Sequence, residues 1–315
     1  MIARLWSTPW LLLTCVTMMW ASNAIAARLA VEQISPATLV LARWLMVAAV
    51  MSALYGRQLA RHWPDIRAKL GLTALMAFLG FTAFNTVFYF AGERTTAINI
   101  GILQGAMPVV VMLGAFLAYG DRVRPVQMLG VALTLVGVVI VASKGSWEAL
   151  RALAFNDGDL LMLLAALLYS AYTIALRARP EMPGAVLFTF FALIAAVTAV
   201  PLAAWEWLGP GRSPPTPLGW GVSLWVAIFP SCLAQLFFLR GVDLIGPGRA
   251  GVYINLVPIF AALFAVALLG ERFAPFHGAA LVLVLGGIAL AQKGEAKPLP
   301  SLRKPRSRAA RRGRS

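Results

Sequence analysis

The sequence predicts an all-α integral membrane protein, with ten transmembrane helices arranged as two inverted five-helix repeats. Three observations lead there. Of the 315 residues, 60% are hydrophobic and only 12% are charged, with mean hydropathy +0.80; a soluble domain carries about 25% charged residues. The apolar runs reach the roughly 20 residues that a helix needs to cross the hydrocarbon layer. None alternates apolar and polar in the short segments of a transmembrane barrel. Finally, the chain repeats itself at a constant offset.

Hydropathy places the spans at 10–29, 36–55, 70–91, 97–119, 125–143, 159–178, 184–208, 220–239, 247–269 and 274–292. Charged and turn-forming residues collect between them. The first run, "PWLLLTCVTMMW" after Arg4, has the look of a secretory signal, and "AIA" that of its cleavage site. Because further spans follow at once, it reads as an uncleaved first helix. Cys15 and Cys232 fall inside apolar runs and read as packing residues.

Two turns are near-copies, "AYGDRVRP" (118–125) and "LLGERFAP" (268–275). In the second, Gly270 can end a helix in the left-handed conformation, and Pro275 suits the first turn of the next. Glu271 and Arg272 then keep the turn in water or headgroups. The two turns belong to a longer register. Phe88 and Phe238, Gly101 and Gly251, Pro108 and Pro258, Asp121 and Glu271, Pro125 and Pro275, and Gly137 and Gly287 are each separated by 150 positions. Upstream, Trp20/Tyr169, Ile25/Ile174 and Arg28/Arg177 give 149. Chance matches would scatter over many offsets. The repeats occupy 9–143 and 158–292, and 293–315 is expected to be a disordered basic tail. Five helices per repeat is an odd number, so the second copy enters from the opposite face, as in many secondary transporters.

The net charge of +15 is uneven, since nine of the 27 basic residues follow Ala291. Such a tail suits an anionic inner leaflet better than nucleic acid. With the N-terminus inside, internal loops carry ten basic residues and external loops six, and an even span count returns the tail to the side of Arg4. Both termini are therefore expected in the cytoplasm, and the protein is expected in the cell membrane as a multi-pass chain.

These segments resemble a known family. "WASNAIAARLA" (20–30) with "ISPATLVLARWLMVA" (34–48) is similar to the opening of the EamA branch of the drug/metabolite transporter superfamily. "MPVVVMLGAFLAYGDRV" (107–123) and "VPIFAALFAVALLGERF" (257–273) resemble that branch's Pro–apolar–Gly–acid–Arg signature, once in each half. The resemblance covers about 10–292. It implies two EamA repeats, export of small metabolites, often amino acids or related amphiphiles, and a cavity near the third, fourth, eighth and ninth helices.

Polar groups deep inside spans are costly in lipid, so they mark candidate substrate contacts. Arg43 is the one ionised side chain near the middle of a span, and no Asp or Glu lies well inside a span to pair with it. It either faces a water-filled cavity and attracts a substrate carboxylate, or snorkels and anchors a carbonyl. Asn23, Asn85, Gln104, Gln235 and Asn255 form an amide set, with Asn85 and Gln235 repeat equivalents. Amides suit a zwitterion, and equally glue helices together. Trp20, Tyr89, Tyr172 and Tyr253 could wall the cavity, or serve as core. The matched Gly101/Gly251 and Pro108/Pro258 are candidate hinges, with simple packing bends the competing account. Gly101 to Gly105 is a small-xxx-small motif compatible with a homodimer.

An integral membrane enzyme is disfavoured because His62 and His277 fall at opposite faces and lack metal-ligand spacing. No P-loop is present, so no nucleotide is expected to drive the protein. No cofactor or metal is expected, and the partners implied are a small-molecule substrate and membrane lipid. A lipid flippase on the same scaffold stays open.

Overall fold

The computed structural model describes residues 6–120, 123–151, 156–209 and 214–293; the expected basic tail, like Asp121 and Arg122, lies outside these. Among them are ten helices long and apolar enough to cross a membrane, and no strand. They are α1 (Pro9–Leu29), α2 (Pro36–Arg61), α3 (Leu70–Gly92), α4 (Ala97–Tyr119), α5 (Pro125–Ala142), α6 (Asp157–Ala178), α7 (Gly184–Leu208), α8 (Pro217–Ile245), α9 (Arg249–Leu269) and α10 (Pro275–Gln292). The chain is thus all-α and polytopic, as its composition requires. α2 and α8 run beyond their apolar stretches, to Arg61 and Ile245, because helix geometry outlasts the hydrophobic signal where polar residues continue without a breaker.

Local chemistry sets the ends. Pro9, Pro36, Pro125 and Pro217 occupy first-turn positions, where the missing N–H is no loss. Side-chain oxygens of Thr96, Asn156 and Thr216 accept from the N–H three residues on and cap α4, α6 and α8. Gly120 and Gly270 end α4 and α9 at φ 68° and 65°, the left-handed region where a Cβ is strained. Pro275 opens α10, so both halves of that turn follow the sequence.

Four spans are interrupted in their interiors, and α6 ends in a 3₁₀ turn at Leu176–Ala178. α3 contains a π-helical segment, Phe78–Ala83, and α8 another, Ala227–Leu233. α4 breaks between Gln104 and Met107, and α9 passes through a 3₁₀ turn at Ile254–Leu256 before Val257. Shifting the first repeat's irregularities by the repeat offset superposes them on the second's. Pro108 and Pro258 sit just after these breaks, in the first turn of the second segment, where the missing N–H is no loss.

The packing shows the same duplication. α2 packs on α7, α5 on α10, α4 on α9, α1 on α8, and α3 on α6. Exchanging the first five helices for the last five returns this set of pairs unchanged. The α5–α10 seam is the tightest, because a Cβ on Gly130 would strike the carbonyl of Gly287, and one on Gly287 the hydroxyl of Thr134. Gly101 and Gly105 are likewise used within the chain: built Cβ atoms would meet Ala261 and Pro258 of α9.

Candidate functional site

Arg43 lies on α2 and is 5% exposed. It packs beside Trp44, its guanidinium carbon 5.0 Å from the ring centroid. Its Nε donates to Ser231 Oγ at 2.7 Å. Its Nη1 donates to Asn85 Oδ1 at 2.6 Å and Tyr89 Oη at 2.8 Å, with a longer contact of 3.5 Å to Asn23 Oδ1. The Tyr89 hydroxyl in turn donates to Asn23 Oδ1 at 2.9 Å. Asn85 Nδ2 donates to the Phe81 carbonyl at 2.6 Å, and Trp44 Nε1 to the same oxygen at 3.0 Å. No carboxylate among the described residues pairs with this guanidinium.

The partners are neutral, so the guanidinium charge is solvated by dipoles and not cancelled. All four hydrogen bonds leave from Nε and Nη1, and Nη2 donates to no described residue. The cluster therefore presents a fixed positive charge with donor capacity to spare, an arrangement suited to a carboxylate or another anionic group.

The π-helical segments build this geometry. A π turn widens the helix and frees carbonyls from the regular ladder. In α3 the Phe81 carbonyl takes two side-chain donors in that way. In α8 the Ser231 hydroxyl donates to Val226 O at 2.6 Å, five residues back, which turns its lone pairs to Arg43. Ser231 is the repeat equivalent of Phe81. Both repeats thus contribute to the cluster from the same register.

Of the residues singled out from sequence, Asn23, Arg43, Asn85 and Tyr89 are brought together. Tyr172 is buried one layer away, its ring 5.1 Å from Phe81, which in turn meets Trp44 at 5.2 Å. Gln104 ends the first segment of α4, and its Oε1 is buried with no described partner. Gln235 and Tyr253 are half-buried on α8 and α9 and are not in the Arg43 network. Asn255 Nδ2 donates to Gln292 Oε1 at 3.1 Å and ties α9 to α10. The helices supplying hydrogen bonds to Arg43 are α1, α3 and α8, with none from α4 or α9. Ser231 was missed, since a lone serine in an apolar run gives no signal; its register with Phe81 is the one trace of it.

Three carboxylates are more engaged than their positions suggest. Asp159 is fully buried at the start of α6 and accepts from Thr95 Oγ1 and Asn99 Nδ2. Glu206, at the end of α7, accepts from the N–H groups of Ala37 and Thr38 at 3.1 and 3.2 Å. Glu271 does more than solvate its turn, which corrects the sequence reading. Its two oxygens accept from Ala97 N at 2.8 Å and Ile98 N at 3.0 Å, clasping the start of α4. A surface depression of about 330 Å³, lined by Arg28, Arg94, Thr96, Lys144 and Asn156 among others, lies at that end and includes none of the Arg43 cluster.

Ten apolar helices in two matched halves, meeting at a buried cationic cluster, define a duplicated helical membrane protein. The chain belongs to the EamA-like transporter family, whose model matches residues 8–143 and again 156–292. It is 25% identical over 268 residues to the uncharacterized transporter YyaM of Bacillus subtilis, covering 84% of this chain and 87% of that one. To an uncharacterized transporter of Archaeoglobus fulgidus it is 27% identical, covering 89% and 96%. To the uncharacterized protein PA1977 of Pseudomonas aeruginosa it is 30% identical, covering 89% and 93%. A solved structure titled "Crystal structure of protein" shares the fold at a TM-score of 0.61 and 19% identity, covering 90% of this chain and 96% of its own.

Proposed function

We propose that the protein is a secondary transporter that exports small amphiphilic metabolites, amino acids or close relatives, across the cytoplasmic membrane by alternating access. The carrying observation is Arg43, a buried guanidinium held by Asn85, Tyr89 and Ser231 with no carboxylate among the described residues to neutralise it. A buried charge in lipid costs about 2.5–3.5 kcal/mol even by lenient scales, and is retained where it serves an ion or substrate path. Here the substrate's carboxylate supplies the missing countercharge and accepts from Nη2. Asn23 and Asn85 present further amide groups to a zwitterion, and the aromatic layer of Trp44, Phe81 and Tyr172 meets an apolar side chain.

In this reading the repeats are inverted, both termini are cytoplasmic, and the two halves rock about the cluster to expose it to each side in turn. No carboxylate among the described residues joins the Arg43 network, which favours facilitated efflux or exchange over proton antiport.

Two assays test the proposal. Cells overexpressing the chain are challenged with inhibitory amino acids and their analogues, and those to which resistance rises define the substrate set. Purified protein in proteoliposomes then takes up the labelled solute with and without a pH gradient. Uptake independent of the gradient supports facilitated transport, and absence of uptake for every carboxylate-bearing solute in the resistance set refutes the proposal.

A further inference from the structure

The pairing of α4 with α9 is the place where the match between the halves breaks down. The first segment of α4, Ala97–Gln104, lies along the second segment of α9, Val257–Leu269, whereas among the described residues Met107–Tyr119 and Pro247–Tyr253 show no comparable packing on each other. The two helices touch at the end of the bundle that holds the α3–α4 and α9–α10 turns, and separate toward the other end. Ala97, Ile98 and Ala261 are fully buried at the touching end.

The glycines record the same asymmetry. A Cβ on Gly101 would overlap Ala261, so the close approach requires glycine there. Gly251, its repeat equivalent, has no described residue within 4 Å of a built Cβ and an ordinary helical backbone, so the described packing of this conformation does not require glycine there. A glycine inside a helix weakens it relative to alanine. The position that would face Gly251 if the opposite ends closed in the same way is Val111, the first-repeat counterpart of Ala261. An unused glycine at that register fits a second conformation in which α9 closes on α4 at the other end.

Something must hold the touching end shut and still let it go. Glu271 fits that task. It sits on the α9–α10 turn, half-exposed, and both its oxygens engage the first N–H groups of α4 at 2.8 and 3.0 Å. A carboxylate at a helix N-terminus gains from the unpaired N–H groups and the helix dipole. Water can replace those bonds at a half-exposed site, so the clasp is strong enough to favour closure and weak enough to release. Glu206 makes a similar contact between α7 and α2, but there it is 2% exposed and its helices pack along their length.

We propose that Glu271 is the gating residue of an α4–α9 gate: its carboxylate latches this end of the bundle closed, and Gly251 is the seat of the matching contact when the opposite end closes. This rests on the transporter reading and names the residues that would time its cycle.

The test reads the gate without a substrate. In full-length protein with Cys15→Ser and Cys232→Ala, Ile98→Cys places a thiol under the latch, and its rate of alkylation by a polar maleimide is measured in lipid nanodiscs. A second thiol, Ala195→Cys in the tightly packed α7, reports general loosening. Glu271→Gln is expected to raise the rate at position 98 at least tenfold and leave position 195 unchanged. Gly251→Ala is expected to lower the rate at position 98 at least fivefold, because a Cβ there obstructs the alternate closure; loss of stability would raise it instead. Equal rates at position 98 in Glu271→Gln and the parent overturn the latch, as does an equal rise at position 195. An unchanged or raised rate in Gly251→Ala overturns the matching contact. Should the gate respond as stated while no carboxylate-bearing solute is transported, the latch stands and the substrate reading falls.

Discussion

Replacing Arg43 separates a structural role from a transport role. Arg43→Met removes three short hydrogen bonds, to Ser231, Asn85 and Tyr89. Hydrogen bonds between membrane helices average ~0.6 kcal/mol and reach ~1.7, so the loss is about 2–5 kcal/mol. Two of the three partners stay satisfied, because Tyr89 still donates to Asn23 and Ser231 to Val226. Asn85 Oδ1 alone is orphaned. Against this, the variant no longer buries an uncompensated charge, which returns about 2.5–3.5 kcal/mol. The net change in stability therefore lies between a gain of about 1.5 and a loss of about 2.5 kcal/mol, so the variant is expected to fold. Binding behaves differently. A charge-assisted hydrogen bond to a substrate carboxylate contributes about 1.5–3 kcal/mol, and with the Coulomb attraction lost as well, transport should fall by about 100-fold. Arg43→Lys keeps the charge but offers a compact donor that cannot span Ser231 and Asn85 at once, so it should retain an intermediate rate. The measurements are thermal unfolding in detergent and initial uptake of labelled amino acid into proteoliposomes. Folded Arg43→Met carrying carboxylate-bearing solutes within threefold of the parent rate would refute the anion role.

Other outcomes follow from the packing. Gly130→Ala drives a methyl into the carbonyl of Gly287, so it should destabilise by about 1–3 kcal/mol in reversible unfolding, as overpacked contacts do. Gly80→Ala meets the ring of Tyr172 and should displace it, seen as altered tyrosine fluorescence together with a loss of about 1–3 kcal/mol. A double-mutant cycle of Asn255→Ala and Gln292→Ala should give a coupling of about 0.6 kcal/mol, the value for a helix-joining amide pair. Ser231→Ala keeps the fold but frees Arg43 Nε, and should weaken apparent substrate affinity more than maximal rate; equal effects on both would contradict its orienting role. Tags on the two termini should be accessible from the same side of sealed cells, and accessibility from opposite sides would end the inverted arrangement.

Some of this was legible in the residues alone. Gly270 and Pro275 behave as their backbone chemistry dictates, since a left-handed terminus and a first-turn proline are local matters. Arg43, Asn23, Asn85 and Tyr89 were identifiable because lipid makes any buried polar group conspicuous. Glu271 was legible as a turn residue and no more. Its bonds run to Ala97 and Ile98 in the other half of the chain, and no local rule specifies which helix end lies opposite a turn. Asn255 and Gln104 look alike in sequence, yet one bonds Gln292 and the other ends a helix segment with its oxygen buried and unmet.

The all-helical class, the number of spans and the duplication at a constant offset could all be read from the amino acids, because hydrophobic length and register are properties of the chain taken in order. Folding in three dimensions settled the rest: that Ser231 completes the Arg43 cluster, that π-helical turns aim its partners, and that the described residues of α4 and α9 pack closely at the end that holds Glu271. Those outcomes depend on which surfaces approach in space, and in a membrane that choice rests on close packing and hydrogen-bond satisfaction between helices whose apolar faces are otherwise equivalent.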